Sequence, residues 1–315
     1  MIFQKAFIFC ISVLVALILL CIERLVGIGW DFHPDSVHYA TNSINIFYGL
    51  KESGYLSFIN GGYYILMFLL NQNILLVTSF NIFLYSITNV IIANIHWENK
   101  KYKVLSFALL LLLLNPYRIH LSTTMLKDTL VIFFLVISVY KLRYLLAFIV
   151  PLIMTRLVAL SYFISMFNKK FLYLGFIFAL LLFYLFPDIV FDRLDASSSI
   201  DLRTREFDRI PAFQEYGNIG NFIRAMIWPL LAFTGMFAII SPSFAFLMVG
   251  IGIIMNIIYT YITYDKFSIT FSAYLPIALL AILAPGFTSF IRYAYPIIVI
   301  TPLLVGIKYN KSGIN

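Results

Sequence analysis

Residues 31–40 bring Asp31, His33, Asp35, His38 and Tyr39 together in a chain that is 62% hydrophobic and only 11% charged. Carboxylates beside imidazoles can accept or pass protons, and a carboxylate at a membrane interface can take the proton from an attacking hydroxyl. Asp35 is the candidate base, with Asp31 in support and Tyr39 as companion. A helix start explains part of the same pattern, since Asp35 or Ser36 can cap a helix running on from Val37. Capping, however, requires neither the second carboxylate nor the histidines. The spacing of His33 and His38 matches no strong zinc pattern, and His96 and His120 lie far along the chain. No metal or other cofactor is therefore expected, a divalent cation being the less favoured alternative. Both histidines of the stretch read as solvated interfacial groups.

Other segments add charge. Lys127 and Asp128 offer a cation and a second acid. Their competing role is a helix start, with Ser122, Thr123 or Thr124 as cap and Asp128 near the positive end of the dipole. Arg156 sits inside an apolar stretch, where it makes a poor topology signal, because Lys141, Arg143, Lys169 and Lys170 already mark the inner face. A guanidinium there suits bidentate binding of a phosphate or diphosphate. Arg118 and Arg292 are further cations for an anionic substrate, although Arg292 also fits a snorkelling interfacial residue. The segment 188–219 holds half of the chain's 14 acidic residues together with Arg205 and Arg209. Its mixed charge reads as a solvated loop with internal ion pairs, and a loop of this length can still close over a substrate.

What must position these groups is a membrane. The 315 residues have a mean hydropathy of +0.95, whereas soluble domains are nearer half apolar and a quarter charged. The net charge of +8 fits basic inner loops and anionic headgroups rather than nucleic acid. Cys10 and Cys21 fall on one helix roughly 16 Å apart and cannot pair with each other. The first apolar run, 6–26, follows Lys5 and lacks a small-x-small cleavage site, so it reads as a retained helix. Apolar runs alternating with basic clusters predict an all-α bundle, one transmembrane domain over 1–315 with about ten spans and both termini on the inner side. The first outer loop, 28–72, should carry a short interfacial helix over 42–54 and a re-entrant or juxtamembrane piece over 61–70. A hairpin of short spans over 145–167 surrounds Arg156. The long loop 188–219 lies outside, 222–240 is interfacial or re-entrant, and 285–292 is an outer loop before a last span over 295–307. On this topology the unusual polar groups gather on the outer face, and ionisable groups at or within a bilayer are costly enough to mark sites.

With these residues in place a resemblance emerges. Pro34, Asp35, Tyr39 and Ala40 resemble the first outer loop of GT-C glycosyltransferases, with its acid followed by a Tyr-Ala pair. Asn115, Pro116, Ser122 and Asp128 resemble that superfamily's second outer loop, and 145–167 with Arg156 resembles its short helical pair carrying a basic residue near the lipid phosphate. Arg224, Trp228 and Pro229 after a long outer loop, with Arg292 near the end, resemble bacterial oligosaccharide repeat-unit polymerases of the O-antigen (Wzy) type. The resemblance implies displacement at an anomeric carbon, with a glycan on polyprenyl diphosphate as donor. It implies Asp35 as base, Asp128 to position sugar hydroxyls or support the base, and Arg156 with Arg292 or a loop arginine to stabilise the leaving diphosphate. It places the active site on the periplasmic face of a bacterial inner membrane, with a chain-length regulator among the expected partners. Transfer of one sugar from a polyprenyl-phosphate donor is the alternative of similar chemistry. A flippase for lipid-linked glycan is the alternative of another class, and it should carry repeat symmetry and polar groups at mid-membrane depth.

Overall fold

The computed structural model describes residues 2–53, 61–100, 106–140, 151, 210, 213, 217–264, 271–284 and 286–312. Among these residues every regular element is a helix. They are α1 (Ile2–Leu25), α2 (Pro34–Ser53), α3 (Gly62–Leu69), α4 (Ile74–Lys100), α5 (Ser106–Leu113), α6 (Pro116–Ser122) and α7 (Asp128–Tyr140), then α8 (Gly217–Thr234), α9 (Phe237–Ile240), α10 (Phe244–Tyr264), α11 (Phe271–Leu283) and α12 (Phe287–Ser312). Crossing a bilayer core takes about 20 apolar residues. Phe3–Leu25, Ile74–Glu98, Phe244–Tyr264 and Phe287–Ile307, of 23, 25, 21 and 21 residues, meet that length. The protein is thus a helical membrane protein, with four helices of full spanning length among the described residues. The expected hairpin over 145–167 except Pro151, with Arg156, and most of the loop over 188–219, with Arg205 and Arg209, lie outside the described residues.

The chain divides into two compact units. The first comprises Met1–Ala159, Ile258–Asp265 and Leu303–Asn315, and the second Leu160–Ile257 and Lys266–Pro302. In the first unit α4 is the central helix, packed on α1, α6 and α7, while α2 packs on α3. Half of the α4 span is buried, against 17% of the α1 span. The difference follows from composition: α4 turns Asn81, Ser86, Thr88, Asn89 and His96 inward, where only protein groups can bond them, whereas α1 leaves Phe7, Leu14, Leu17 and Ile18 exposed as a lipid-facing surface would. In the second unit α8 packs along α11. Trp228 lies 5.4 Å from both Phe287 and Phe290, edge-to-face on the first and tilted on the second, and Phe237 lies edge-to-face 5.3 Å from Phe246, so aromatic contacts fill this core.

Several boundaries differ from those read in the sequence. The interfacial helix expected over 42–54 begins at Pro34, so Asp35 to Tyr39 are helical, with proline at the first position and Asp35 in the first turn. Ser122, Thr123 and Thr124 close α6 instead of capping α7; the hydroxyls of Ser122 and Thr124 donate to the Ile119 and Leu121 carbonyls. The expected outer loop over 285–292 is mostly the first turns of α12. Phe287, Phe290, Ile291, Ala294 and Tyr295 are buried there, a helical spacing whose burial rewards the helix. Arg292 therefore lies in the second turn of a span. The 222–240 segment falls into two helices, α8 with Pro229 inside it and the short α9, separated at Gly235, where φ is +71°.

One turn governs the geometry of the first unit. Gly27, at φ +82°, ends α1 in a Schellman motif: its N–H donates to Arg24 O at 3.3 Å and that of Ile28 to Glu23 O at 2.8 Å. A Cβ at Gly27 or at Gly49 would meet nothing within 4 Å, so backbone conformation alone decides the effect of adding one. Gly27→Ala should lower stability by about 1 kcal/mol through left-handed strain. Gly49→Ala, inside α2, should be neutral or raise it by up to about 1 kcal/mol. Thermal unfolding in detergent micelles reads both, and equal effects would contradict the assigned turn.

Candidate functional site

The strongest chemical constellation in the first unit starts at a residue the sequence reading left inside a span. Glu23, near the end of α1, is 2% exposed. Its Oε1 lies 2.6 Å from His120 Nδ1, and its Oε2 accepts from the Thr123 hydroxyl at 2.7 Å. His120 is fully buried, and its Nε2 lies 2.9 Å from Nε2 of His33. Phe32 closes this pair from the side, with ring centroids 5.0 Å from His33 and 5.6 Å from His120. The result is a continuous carboxylate–imidazole–imidazole chain that runs from the buried interior to a half-buried His33. His33 is thus no solvated bystander. The short helix α6 makes the arrangement by presenting His120 and Thr123 on one side; Asn115 caps it, accepting from Arg118 N–H, and Pro116 follows at its first position.

Asp35 lies two residues after His33, half-buried in the first turn of α2. Burial first, and then the Asp35 charge, raise the Tyr64 hydroxyl above its ordinary pKa. That hydroxyl is 3.3 Å from His38 Nε2, while His38 Nδ1 lies 3.4 Å from the Asn42 amide. His33 and His38 therefore turn to different partners. Among the described residues no three His, Cys, Asp or Glu side chains are grouped to hold a metal ion. Asp31 is exposed in the turn before α2, its carboxylate folded against Gly29.

Asp128 and Tyr39 lie deeper. Asp128 is 2% exposed in the first turn of α7. Tyr63 is raised strongly by burial, with smaller additions from Tyr39 and Asp128 and an opposing one from Asn81. The Tyr63 hydroxyl faces Asn81 yet, like Asn81 Oδ1, completes no hydrogen bond. The Tyr39 ring packs 4.8 Å from Tyr63 and 5.6 Å from Tyr64, so Tyr39 is a core residue of this corner. Adjacent tyrosines of α3 thus meet the two candidate acids, Tyr64 the field of Asp35 and Tyr63 that of Asp128. Lys127 is half-buried next to Asp128.

Arg118 belongs to a different network. It is 3% exposed and donates to Asn89 Oδ1 at 2.7 Å and to Leu112 O at 3.4 Å, with its guanidinium 5.2 Å over the Tyr85 ring. Asn89 in turn donates to Ser12 at 2.9 Å. Ser12 and Asn89 lie near the middles of α1 and α4, so this polar line runs at mid-length. His96, further along α4, is buried with Nδ1 2.7 Å from the Tyr264 hydroxyl and 2.8 Å from that of Tyr259. In the second unit Arg224 is buried, donates to Ala284 O at 3.2 Å and sits 5.2 Å over Trp228, and Arg292 is half-buried. Glu23 and the His33–His120 pair are what sequence reading missed. A glutamate two residues before the end of a mostly apolar helix was the available signal.

The helices and buried polar groups define the class, a helical membrane protein. Compared with known protein families, characterised proteins and solved structures, the chain matches none.

Two substitutions test this reading of the polar interior. Asn89→Ala removes an acceptor from a buried guanidinium and should cost about 2 kcal/mol. Tyr63→Phe removes a hydroxyl that completes no bond and should leave stability unchanged or slightly raised. Unfolding midpoints in micelles check both; a large loss for Tyr63→Phe would contradict the assignment.

Proposed function

We propose that the protein is a membrane glycosyltransferase that polymerises polyprenyl-diphosphate-linked oligosaccharide repeat units. Its acceptor-activating site is the corner of the first unit where α1 ends and α2 begins. The observation that carries the reading is that α2 begins with a half-buried carboxylate, Asp35, two residues after a half-buried imidazole, His33, whose Nε2 lies 2.9 Å from the buried His120. A hydroxyl bound at this corner meets proton acceptors of the kind an alcohol nucleophile needs. In the reaction the acceptor oxygen bonds to the donor's anomeric carbon, the bond from that carbon to the diphosphate oxygen breaks, and the hydroxyl proton passes to the enzyme. Asp35 accepts or steers that proton and Asp128 supports the acceptor side through α3, while the resemblance assigns the diphosphate charge to Arg156 with Arg292 or a loop arginine (Arg205 or Arg209). This reading sets the corner on the periplasmic side of a bacterial inner membrane, with about ten spans and both termini cytoplasmic. A chain-length regulator is a partner it implies.

A second reading, transport of lipid-linked glycan across the bilayer, is favoured by one observation. The Ser12–Asn89–Arg118 line lies at mid-length on the long helices, where transporters keep polar groups.

In cells that make a polymeric surface glycan through this protein, Asp35→Asn should collapse the glycan ladder to single repeats while protein abundance holds. The expected loss is roughly 10²-fold or more in long chains. A ladder of unchanged length would remove Asp35 from the reaction, and loss of single repeats along with the ladder would favour transport.

A further inference from the structure

The exposed face of α2 differs in chemistry from that of α1. On α1 the exposed side chains include Phe3, Phe7, Leu14, Leu17 and Ile18, which suits lipid. On α2 Ser36, Tyr39 and Ser43 take the buried side, and His38, Thr41, Asn42, Asn45 and Tyr48 are exposed. The exposed residues follow one another at steps of three or four, so they share one side of the helix. Between Asp35 and Lys51 the chain holds no Asp, Glu, Lys or Arg. A helix that lies on anionic headgroups presents lysines and arginines on its polar face, and α2 has none before its last turn. The face therefore suits neither hydrocarbon nor an anionic surface. It offers amides and hydroxyls, neutral groups that both donate and accept. Their complement is a neutral ligand dense in hydroxyls, which is a glycan.

The face is also held in shape. Tyr48 is 49% exposed, yet its ring meets Phe68 of α3 edge-to-face at 5.7 Å, and Phe68 stacks on Phe47 at 4.3 Å. A tyrosine fixed in this way presents a rigid amphipathic surface at low entropy cost. His38 is held between the Asn42 amide and the Tyr64 hydroxyl. From His38 to Tyr48 the helix rises about 15 Å, long enough for an oligosaccharide. We propose that this face is the track on which the acceptor oligosaccharide lies, its attacking hydroxyl at Asp35 and its further sugars over Asn42, Asn45 and Tyr48. The inference rests on the glycosyltransferase reading and adds the chemical class of acceptor: a neutral oligosaccharide, read by amides and one aromatic ring. Continuity carries the assignment, because the face starts within one turn of Asp35 on the same helix.

The test uses full-length protein in lipid nanodiscs. Its two cysteines, Cys10 and Cys21, are replaced by alanine, and Asn45→Cys supplies a single thiol on the face. A membrane-impermeant anionic maleimide reads its labelling rate. The probe is the repeat-unit oligosaccharide released from the surface glycan of the same cells. It should slow labelling severalfold, and inorganic diphosphate should not. Adding Asn42→Ala should raise the oligosaccharide concentration needed for protection roughly tenfold. Alanine is the better helix former at an exposed helical position, so that loss reports binding rather than folding. On the cellular ladder, Asn42→Ala with Asn45→Ala should shorten the glycan at unchanged protein abundance, where Asp35→Asn leaves single repeats. Labelling that the oligosaccharide does not slow, or that diphosphate slows equally, would overturn the track. The glycosyltransferase reading would still stand if Asp35→Asn collapses the ladder. If Asp35→Asn leaves the ladder unchanged, the glycosyltransferase reading fails, and the acceptor track with it, even where the oligosaccharide protects.

Discussion

A buried carboxylate must be paired, and that constraint organises one end of the first unit. Taking an ionised carboxylate out of water costs several kcal/mol unless its oxygens find good donors. Glu23, 2% exposed, finds them in His120 and Thr123. Both belong to α6 or to the residue that closes it, so α6 has to lie against the end of α1. The Schellman turn at Gly27 then sends the chain back over the same spot, and His33 meets His120. The local devices are ordinary: a glycine at positive φ, an asparagine cap and a proline at the first helical position. Their combination places two imidazoles in line with a carboxylate.

The same rule explains why α4 is the central helix. Its inward residues Asn81, Asn89 and His96 are buried and each is adjacent to a group from elsewhere in the unit: Asn81 donates to Thr124 O at 2.8 Å, Asn89 serves Arg118 and Ser12, and His96 meets two tyrosines of α10. Polar contacts of this sort set register between helices that apolar packing alone would let slide. They also leave two chemically distinct polar regions in one unit, the corner with Asp35 and His33 and the mid-length line through Arg118.

The sequence made part of this legible. The helical class and membrane embedding follow from hydropathy, and the polar stretch 31–40 does hold residues at the candidate site. Asp35 was readable as a residue at a helix start, a cap before Val37; the helix begins earlier, at Pro34, and takes Asp35 into its first turn. What sequence could not supply was contact across distance. His33 and His120 are 87 positions apart, and Glu23 looks like a span-end residue until α6 folds onto it. Tyr39 reads as a site companion but fills the core between Tyr63 and Tyr64, because one face of α2 must bury against α3. Arg292 reads as an outer-loop cation because Pro285 and Gly286 suggest a loop; the aromatic spacing from Phe287 onward makes it helical instead.

The central claim is that this corner activates a glycan hydroxyl against a lipid-linked donor. The most direct measurement reconstitutes the purified protein in proteoliposomes with a polyprenyl-diphosphate-linked oligosaccharide and follows both glycan length and free polyprenyl diphosphate. The account predicts longer lipid-linked glycan and free polyprenyl diphosphate appearing together, one carrier released for each repeat added. Unchanged glycan length, with the lipid-linked oligosaccharide moved to the opposite leaflet, would contradict it.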